Sequence, residues 1–137
     1  MITAVDTSVL LDVFGADPSF GLRSREALRA CLAQGALIAC EIVWSEVGAS
    51  FPSSSAAEDA LKRLHVDFSP IDAASALAAG SAFRDYRRAG GARERVVPDF
   101  LIGAHARARA DRLLSRDRGF YRRYFRGLAI VDPSAAA

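Results

Sequence analysis

Long apolar runs, cysteine pairs and histidine clusters are all missing from this sequence. No apolar stretch approaches the roughly 18 residues that a membrane-spanning helix needs, so no membrane association is expected. There are only two cysteines and two histidines, and Cys31 and Cys40 form neither a CxxC motif nor a zinc-type spacing with His65 or His105. The cysteines are therefore expected to be small buried side chains, and the histidines to lie at the edge of the core or on the surface.

No secretion signal is expected either. The first residues read MITAVDTSVLLDVFG, with Asp6 among them and without the basic stretch that opens a signal peptide. They are interpreted as a core element, and the cytoplasm is the expected location. With 137 residues, 51% of them hydrophobic and 25% charged, the chain is expected to form a single domain over residues 1–133, followed by a short tail at residues 134–137.

Lysine is nearly absent, because Lys62 is the only lysine among eighteen basic residues. Residues 84–126 hold thirteen arginines against five acids, whereas residues 1–83 hold five basic and ten acidic residues. Guanidinium groups donate in pairs to phosphate oxygens, so an arginine-rich region suits a polyanionic ligand such as nucleic acid. A composition rich in alanine and arginine can equally reflect a GC-rich genome, and the charge pattern alone leaves both explanations open.

Segments with strand character alternate with segments of helical period along the chain. Strands are expected at residues 2–6, 36–40, 66–71, 112–115 and 128–131. Helices are expected at residues 7–14, 22–33, 42–50, 56–64, 73–89, 99–110 and 120–125. This alternation predicts parallel βαβ units, and therefore an α/β fold in which helices cover both faces of a mostly parallel sheet of four to five strands.

The helix ends and one helix face carry further signals. Asp6 or Thr7 is expected to cap the first helix, Asp72 the fifth, and Pro98 to open the sixth. The fifth helix is rich in alanine, and its helical period predicts an inward stripe made of Ala76, Ala79, Gly80, Phe83 and Tyr86. The run GGARERVV, which follows that helix, is predicted to be a loop.

Four acids fall where a sheet of this kind builds its ligand site. In open α/β sheets, ligands lie beyond the carboxyl ends of the strands. Asp6 comes directly after the first predicted strand, and Asp117 comes after the fourth. Asp99 lies in the first turn of an otherwise apolar helix, PDFLIGAHA, and Glu46 lies in the apolar run IVWSEV, which argues against a freely solvated side chain.

Taken singly, each acid has a simpler explanation. Asp6 could be only a helix cap, Asp99 only a favourable charge at a helix N-terminus, Asp117 a turn residue and Glu46 a partly exposed helical position. Carboxylates held close together stay ionised only when cations compensate them. Oxygen ligands suit Mg²⁺ or Mn²⁺, and such ions promote hydrolysis of phosphodiesters. The four acids together therefore predict a nuclease that depends on a divalent metal.

Four segments resemble the acidic motifs of PIN-domain ribonucleases: VDTSVLLD, WSEV, VPDFLIGAHA and LLSRDRGFYRRYF. More narrowly, they resemble VapC-type toxins of bacterial toxin–antitoxin pairs, and the resemblance extends from about residue 3 to residue 133. It implies a PIN-like three-layer α/β/α fold and an endoribonuclease that uses Mg²⁺ or Mn²⁺ and leaves a 3′-hydroxyl and a 5′-phosphate. It also implies a homodimer, and a VapB-type antitoxin that covers the active-site groove in a hetero-oligomer.

The resemblance also assigns roles. It implies that Asp6 and Asp99 are the main metal ligands and that Glu46 and Asp117 complete the catalytic pocket, directly or through water. The hydroxyl of Thr7 or Ser8 would support the first aspartate, and Ser115 would help to position the last motif.

Three neighbouring residues keep two interpretations each. Asp12 either lines the pocket or is a solvated helix position. Arg116 and Arg118 flank Asp117, and they either contact RNA phosphate or only contribute to solubility.

Other classes of function remain to be weighed against a toxin ribonuclease. A housekeeping nuclease, or a catalytically silent module that binds RNA or a partner protein, would keep the same fold. A receiver-like phosphoacceptor domain needs a lysine after a late strand, and Lys62 lies on an early helix. Nucleotide P-loops, GxSxG hydrolases and HExxH proteases have no matching motif.

Overall fold

The computed structural model describes residues 1–91 and 97–134, so most of the loop predicted for GGARERVV lies outside the described residues. The strands are Ile2–Val5 (β1), Ala36–Ala39 (β2), Val66–Phe68 (β3), Arg112–Leu114 (β4) and Ala129–Val131 (β5). The helices are Thr7–Phe14 (α1), Gly21–Ala33 (α2), Glu41–Ala49 (α3), Ser54–Arg63 (α4), Ala73–Arg88 (α5), Val97–Arg109 (α6) and Arg118–Tyr124 (α7). Within the described part of the chain, no helix is long and apolar enough to cross a membrane.

The five strands form one sheet in the order β3-β2-β1-β4-β5, and every pairing in it is parallel. The predicted α/β fold with a mostly parallel sheet is therefore confirmed. From β1 the chain moves outward to β2 and β3, then crosses back to β4 and β5. Since crossovers between parallel strands are right-handed, α1 to α4 cover one face of the sheet and α5 to α7 cover the other.

Side-chain caps fix where several helices begin. Asp6 caps α1 by accepting a hydrogen bond from the backbone N–H of Thr7, and Asp72 caps α5 by accepting one from Ser75, so both predicted caps are confirmed. Strand β3 ends at Phe68, three residues earlier than predicted. Pro70 has no N–H to donate and cannot continue the ladder.

Aromatic side chains join the helices on the second face of the sheet. The rings of Phe100 and Phe120 meet edge to face with centroids 5.0 Å apart, and Tyr86 and Tyr124 pack edge to face against each other at 5.4 Å. Phe83 adds a further edge-to-face contact with Phe100 at 5.2 Å. This cluster ties α5, α6 and α7 together, and thereby anchors the helix whose first turn carries Asp99.

The predicted inward stripe of α5 is partly wrong. Ala79 is buried, and Phe83 and Tyr86 are half-buried, but Ala76 and Gly80 are exposed. The buried positions in their place are Ser75 and Ala82. Both side chains are small enough to lie against α6. In the first half of α5 the buried face is therefore one residue away from the predicted one, at Ser75 instead of Ala76.

Both cysteines are buried, whereas only one of the two histidines is. Cys31 and Cys40 are free and buried, as predicted. His65 is exposed, whereas His105 is only 1% exposed, so the expectation of an edge or surface position is wrong for His105. A ring nitrogen of His105 lies 3.0 Å from the hydroxyl of Ser69, and this polar contact makes its burial in α6 tolerable.

Candidate active site

The strand order reverses between β1 and β4, which lie side by side in register, with Val5 opposite Leu114. Asp6 follows β1 directly, and Ser115 follows β4. The backbone N–H of Asp6 donates to the carbonyl of Leu114 at 3.0 Å, so the ladder continues up to the first acid. A reversal of strand order opens a crevice beyond the carboxyl ends of the strands, and ligands of open α/β sheets bind there.

Asp6 is fixed by hydrogen bonds from both sides. One carboxylate oxygen accepts from the N–H of Thr7 at 2.8 Å. The other oxygen accepts from the hydroxyl of Ser115 at 2.7 Å, and the hydroxyl of Tyr121 lies 3.4 Å from it. The residue is 7% exposed. Its carboxylate therefore has a single preset orientation at the carboxyl end of β1.

Burial raises the pKa of Asp6 to about 6, although the hydrogen bonds from Ser115 and Thr7 act in the opposite direction. The charge of Asp99 raises it further, so these two carboxylates repel each other across the site. Burial also raises the pKa of Tyr121 well above its usual value, and the charges of Asp6, Asp99 and Asp117 add to that rise. Three of the four predicted acids thus act on one buried hydroxyl.

Asp99 and Asp117 reach this region from different elements. Asp99 lies in the first turn of α6, and Asp117 is the residue before α7; both are half-buried. The backbone N–H of Asp117 donates to the hydroxyl of Ser115 at 3.0 Å. Ser115 therefore links Asp6 to Asp117, consistent with its expected role in positioning the last motif.

Glu46 stands at the edge of the cluster. It is exposed, but its carboxylate accepts a hydrogen bond from the hydroxyl of Thr7 at 2.9 Å. Thr7 thus contacts the first aspartate through its backbone and Glu46 through its side chain. Of the two hydroxyls considered as supports, that of Thr7 is bonded to an acid of the cluster, and Ser8 makes no hydrogen bond to Asp6.

The residues beside the acids correct two expectations. Asp12 is buried at 5% exposure and not solvated, because its carboxylate pairs with Arg116 and accepts from Ser24. Arg116 is accordingly engaged in an internal ion pair. Arg118 is different: its side chain is 51% exposed, and among the residues that the structure describes it forms a long ion pair of 3.6 Å with Asp132.

The donor set of the crevice consists of carboxylate oxygens. Within residues 1–91 and 97–134, no three or more His, Cys, Asp or Glu side chains are placed so that they could hold one ion among themselves. Mg²⁺ does not require such a cage, since it keeps several waters and is commonly bound by one or two carboxylates together with substrate phosphate. Hard oxygen ligands and the mutual repulsion of Asp6 and Asp99 fit a hard divalent cation.

Sequence reasoning missed two contributors to the site. Tyr121 follows Asp117 by four residues, which is one turn of α7, and this spacing within the run DRGFYRRY was the signal available. The pairing of Asp12 with Arg116 joins residues 104 apart in sequence, and no local pattern announces it.

Comparisons with known proteins identify the family and the fold. The sequence model of the PIN domain matches residues 3–126. The VapBC-1 structure from nontypeable Haemophilus influenzae has a TM-score of 0.74 at 16% identity, covering 98% of this chain and 100% of the other. VapBC2 from Rickettsia felis, bound to a DNA fragment from its promoter, gives 0.73 at 17% identity, covering 96% and 98%. A toxin–antitoxin complex from Klebsiella pneumoniae gives 0.69 at 21% identity, covering 98% and 99%. No curated protein matches the sequence significantly.

Proposed function

Because this chain belongs to the PIN domain family, we propose that it is an endoribonuclease that depends on Mg²⁺ or Mn²⁺ and acts as the toxin of a VapC-type toxin–antitoxin pair. The observation that carries the proposal is the group of carboxylates around Asp6 at the reversal of strand order. A buried carboxylate such as Asp6, repelled by a neighbouring one, is costly to a fold, and a divalent cation relieves that cost.

In the proposed reaction, Asp6 and Asp99 would hold the metal ion, and Asp117 and Glu46 would complete the pocket. Mg²⁺ or Mn²⁺ bound there would supply water activation and charge neutralisation at the departing oxygen of a phosphodiester. The protein contributes a preset geometry: Ser115 and the N–H of Thr7 hold Asp6, while Thr7 also holds Glu46. Arg118, which is exposed beside Asp117, would contact RNA phosphate in this proposal.

Substitution of Asp6 or Asp99 by asparagine tests the metal site. Each change removes one negative charge at nearly constant shape, and we expect kcat for cleavage of a short RNA with Mn²⁺ to fall by about 100-fold or more, because direct metal ligation supplies several kcal/mol to the transition state. Products should carry a 3′-hydroxyl and a 5′-phosphate. The measurement is single-turnover cleavage followed on a denaturing gel.

The matched control is Asp59→Asn, at an exposed position of α4, which should cleave like the wild type. Cleavage that survives EDTA, or that is unchanged by Asp6→Asn or Asp99→Asn, would contradict the proposed metal mechanism.

A catalytically silent module is the second candidate, and the missing three-residue ligand group in the described part of the chain favours it. It predicts RNA binding without turnover at any Mg²⁺ or Mn²⁺ concentration, and binding that Glu46→Ala and Asp117→Ala leave intact. Cleavage that follows Mn²⁺ concentration would eliminate this candidate.

The partners belong to the same proposal. The solved complexes that share this fold pair a VapC-type chain with its antitoxin, and this is the support for a VapB-type antitoxin here. We propose a homodimer that forms a hetero-oligomer with that antitoxin. A short open reading frame for a DNA-binding protein just upstream would favour the toxin over a housekeeping nuclease.

A further inference from the structure

Arg116 forms a two-pronged ion pair with Asp12. Its Nε donates to one carboxylate oxygen at 2.9 Å, and its Nη2 donates to the other at 3.0 Å. The hydroxyl of Ser24 donates to the same carboxylate at 2.8 Å. The guanidinium also lies over the ring of Phe20, with its carbon 4.1 Å from the ring centroid. Paired hydrogen bonds of this kind fix both position and orientation of the guanidinium plane.

The surroundings make this pair stronger than a surface salt bridge. Asp12 and Ser24 are buried, and the side chain of Arg116 is 29% exposed. Breaking such a pair leaves a buried carboxylate without its counter-charge, which is costly. Because Asp12 neutralises the charge of Arg116 inside the protein, Arg116 contributes little to the electrostatic attraction of RNA.

The pair joins two parts of the chain that lie next to acids of the proposed site. Asp12 lies on α1, whose first residue follows Asp6. Arg116 lies in the segment between β4 and α7, with Ser115 before it and Asp117 after it. The hydrogen bond from Ser115 to Asp6, at 2.7 Å, joins the same segment to the residue that caps α1. The two contacts at separate points fix residues 115–117 against α1 and its cap in both position and rotation.

We propose that Arg116 is a positioning residue: through its ion pair with Asp12 it holds residues 115–117 so that Ser115 orients Asp6 and Asp117 faces the metal site. This inference rests on the proposed function, and it goes beyond it by assigning Arg116 to the geometry of the site instead of to RNA contact. It also gives Asp12, which is buried away from solvent, a role in the reaction.

The test compares Arg116→Lys, Asp12→Asn and the control Arg122→Lys at an exposed position of α7. Lysine keeps the charge at residue 116 but cannot donate the paired hydrogen bonds of a guanidinium. Asparagine at residue 12 removes the negative charge but can still accept the hydrogen bond from Ser24. Both variants should weaken Mn²⁺ binding, measured by isothermal titration calorimetry, by about 10- to 100-fold, which is typical of groups that orient metal ligands. Both should lower kcat with little change in KM for a short RNA, and the control should do neither.

An RNA-contacting Arg116 would behave in the opposite way. Arg116→Lys would then raise KM with Mn²⁺ affinity unchanged, and the salt dependence of RNA binding would stay nearly the same because lysine keeps the charge, while Asp12→Asn would have no matching effect. That pattern overturns the inference while the proposed function stands. Circular dichroism confirms that the variants are folded. A wild-type protein that neither binds Mn²⁺ nor cleaves RNA overturns the proposed function and this inference with it.

Discussion

Ser115 is the single residue on which the geometry around Asp6 depends most. Its hydroxyl donates to Asp6 and accepts from the N–H of Asp117, so one buried oxygen atom connects two of the proposed ligands. These hydrogen bonds contribute strongly to stability because they are buried: a buried polar group that lacks a partner destabilises the fold by its full desolvation free energy.

Ser115→Ala should therefore have two effects. The free energy of unfolding should fall by about 1–3 kcal/mol, since the carboxylate of Asp6 and the N–H of Asp117 both lose a partner. Mn²⁺ affinity should fall by about 10- to 100-fold, because Asp6 loses its orientation. Denaturant unfolding and calorimetric titration measure the two effects separately.

Ser45→Ala is the control, because the hydroxyl of Ser45 donates to a helix carbonyl at the exposed surface of α3. Its unfolding free energy should stay within about 0.5 kcal/mol of the wild type. If Ser115→Ala retained full Mn²⁺ affinity, Ser115 would be a structural residue with no part in the metal site.

Residues whose contacts lie close by in the sequence could be predicted, whereas residues whose partners are distant in the sequence could not. Asp6 could be predicted because it follows a short apolar strand, and its capping bond to Thr7 is a contact between neighbours. The buried state of Asp12 could not be predicted, since its partner Arg116 comes from the other end of the chain. A charged residue on a helix is ordinarily solvated, and only a distant counter-charge reverses that expectation.

Among the elements, α6 is the one whose placement decides where Asp99 lies. Gly103 in this helix faces the ring of Phe125: a Cβ built at this glycine would lie 2.4 Å from the ring carbon Cε2. Phe125 is itself buried, so the ring has little freedom to withdraw. The glycine is what allows the residues after α7 to pack against α6.

The same substitution should have opposite effects in two helices. Gly103→Ala should lower the free energy of unfolding by about 1–3 kcal/mol through overpacking. The higher helix propensity of alanine offsets roughly 1 kcal/mol of that loss. A Cβ at Gly80 in α5 would have no atom of the described residues within 4 Å, so Gly80→Ala brings only the gain in helix propensity, and the free energy of unfolding should rise by about 0.5–1 kcal/mol. Urea unfolding of both variants measures the difference. Equal stabilities would show that the ring of Phe125 yields without cost.

Elements with strong local signals were predicted well, and their packing faces less well. The predicted alternation of strands and helices is confirmed. It could be predicted because apolar runs and capping residues are features of short stretches of sequence. The face of α5 could not be predicted accurately, since alanine and serine are small enough to lie on either side of a helix. Which side is buried depends on the helix packed against it, and that information lies in α6.

For the molecule as a whole, the order of the strands matters more than any one motif. β1 and β4 are distant in sequence and adjacent in the sheet, and this adjacency brings Ser115 to Asp6 across 109 positions. The sequence indicates that parallel strands exist but carries no local signal for their order. The position of the candidate site could therefore be predicted from the general rule on strand ends, whereas contacts such as that between Ser115 and Asp6 could be seen only in the structure.

The buried His105 links the fold of the whole molecule to pH. Burial lowers its pKa below the usual 6.5, so the unfolded chain takes up a proton here that the folded chain excludes. Stability must then rise with pH across this interval: it is present above about pH 6.5 and is lost as the pH falls through the folded pKa. Asp6, with its raised pKa, acts in the opposite sense, since its ionisation costs stability as the pH rises.

The difference between wild type and His105→Gln isolates this effect, because Asp6 contributes equally to both. Glutamine retains a polar group near Ser69 but cannot take up a proton. We expect its free energy of unfolding, measured in urea from pH 8 to pH 5, to fall less steeply than that of the wild type below about pH 6.5. His65→Gln, at the exposed histidine, controls for the loss of an imidazole. Parallel curves for wild type and His105→Gln would mean that His105 is protonated as easily in the folded protein as in the unfolded chain, despite its burial.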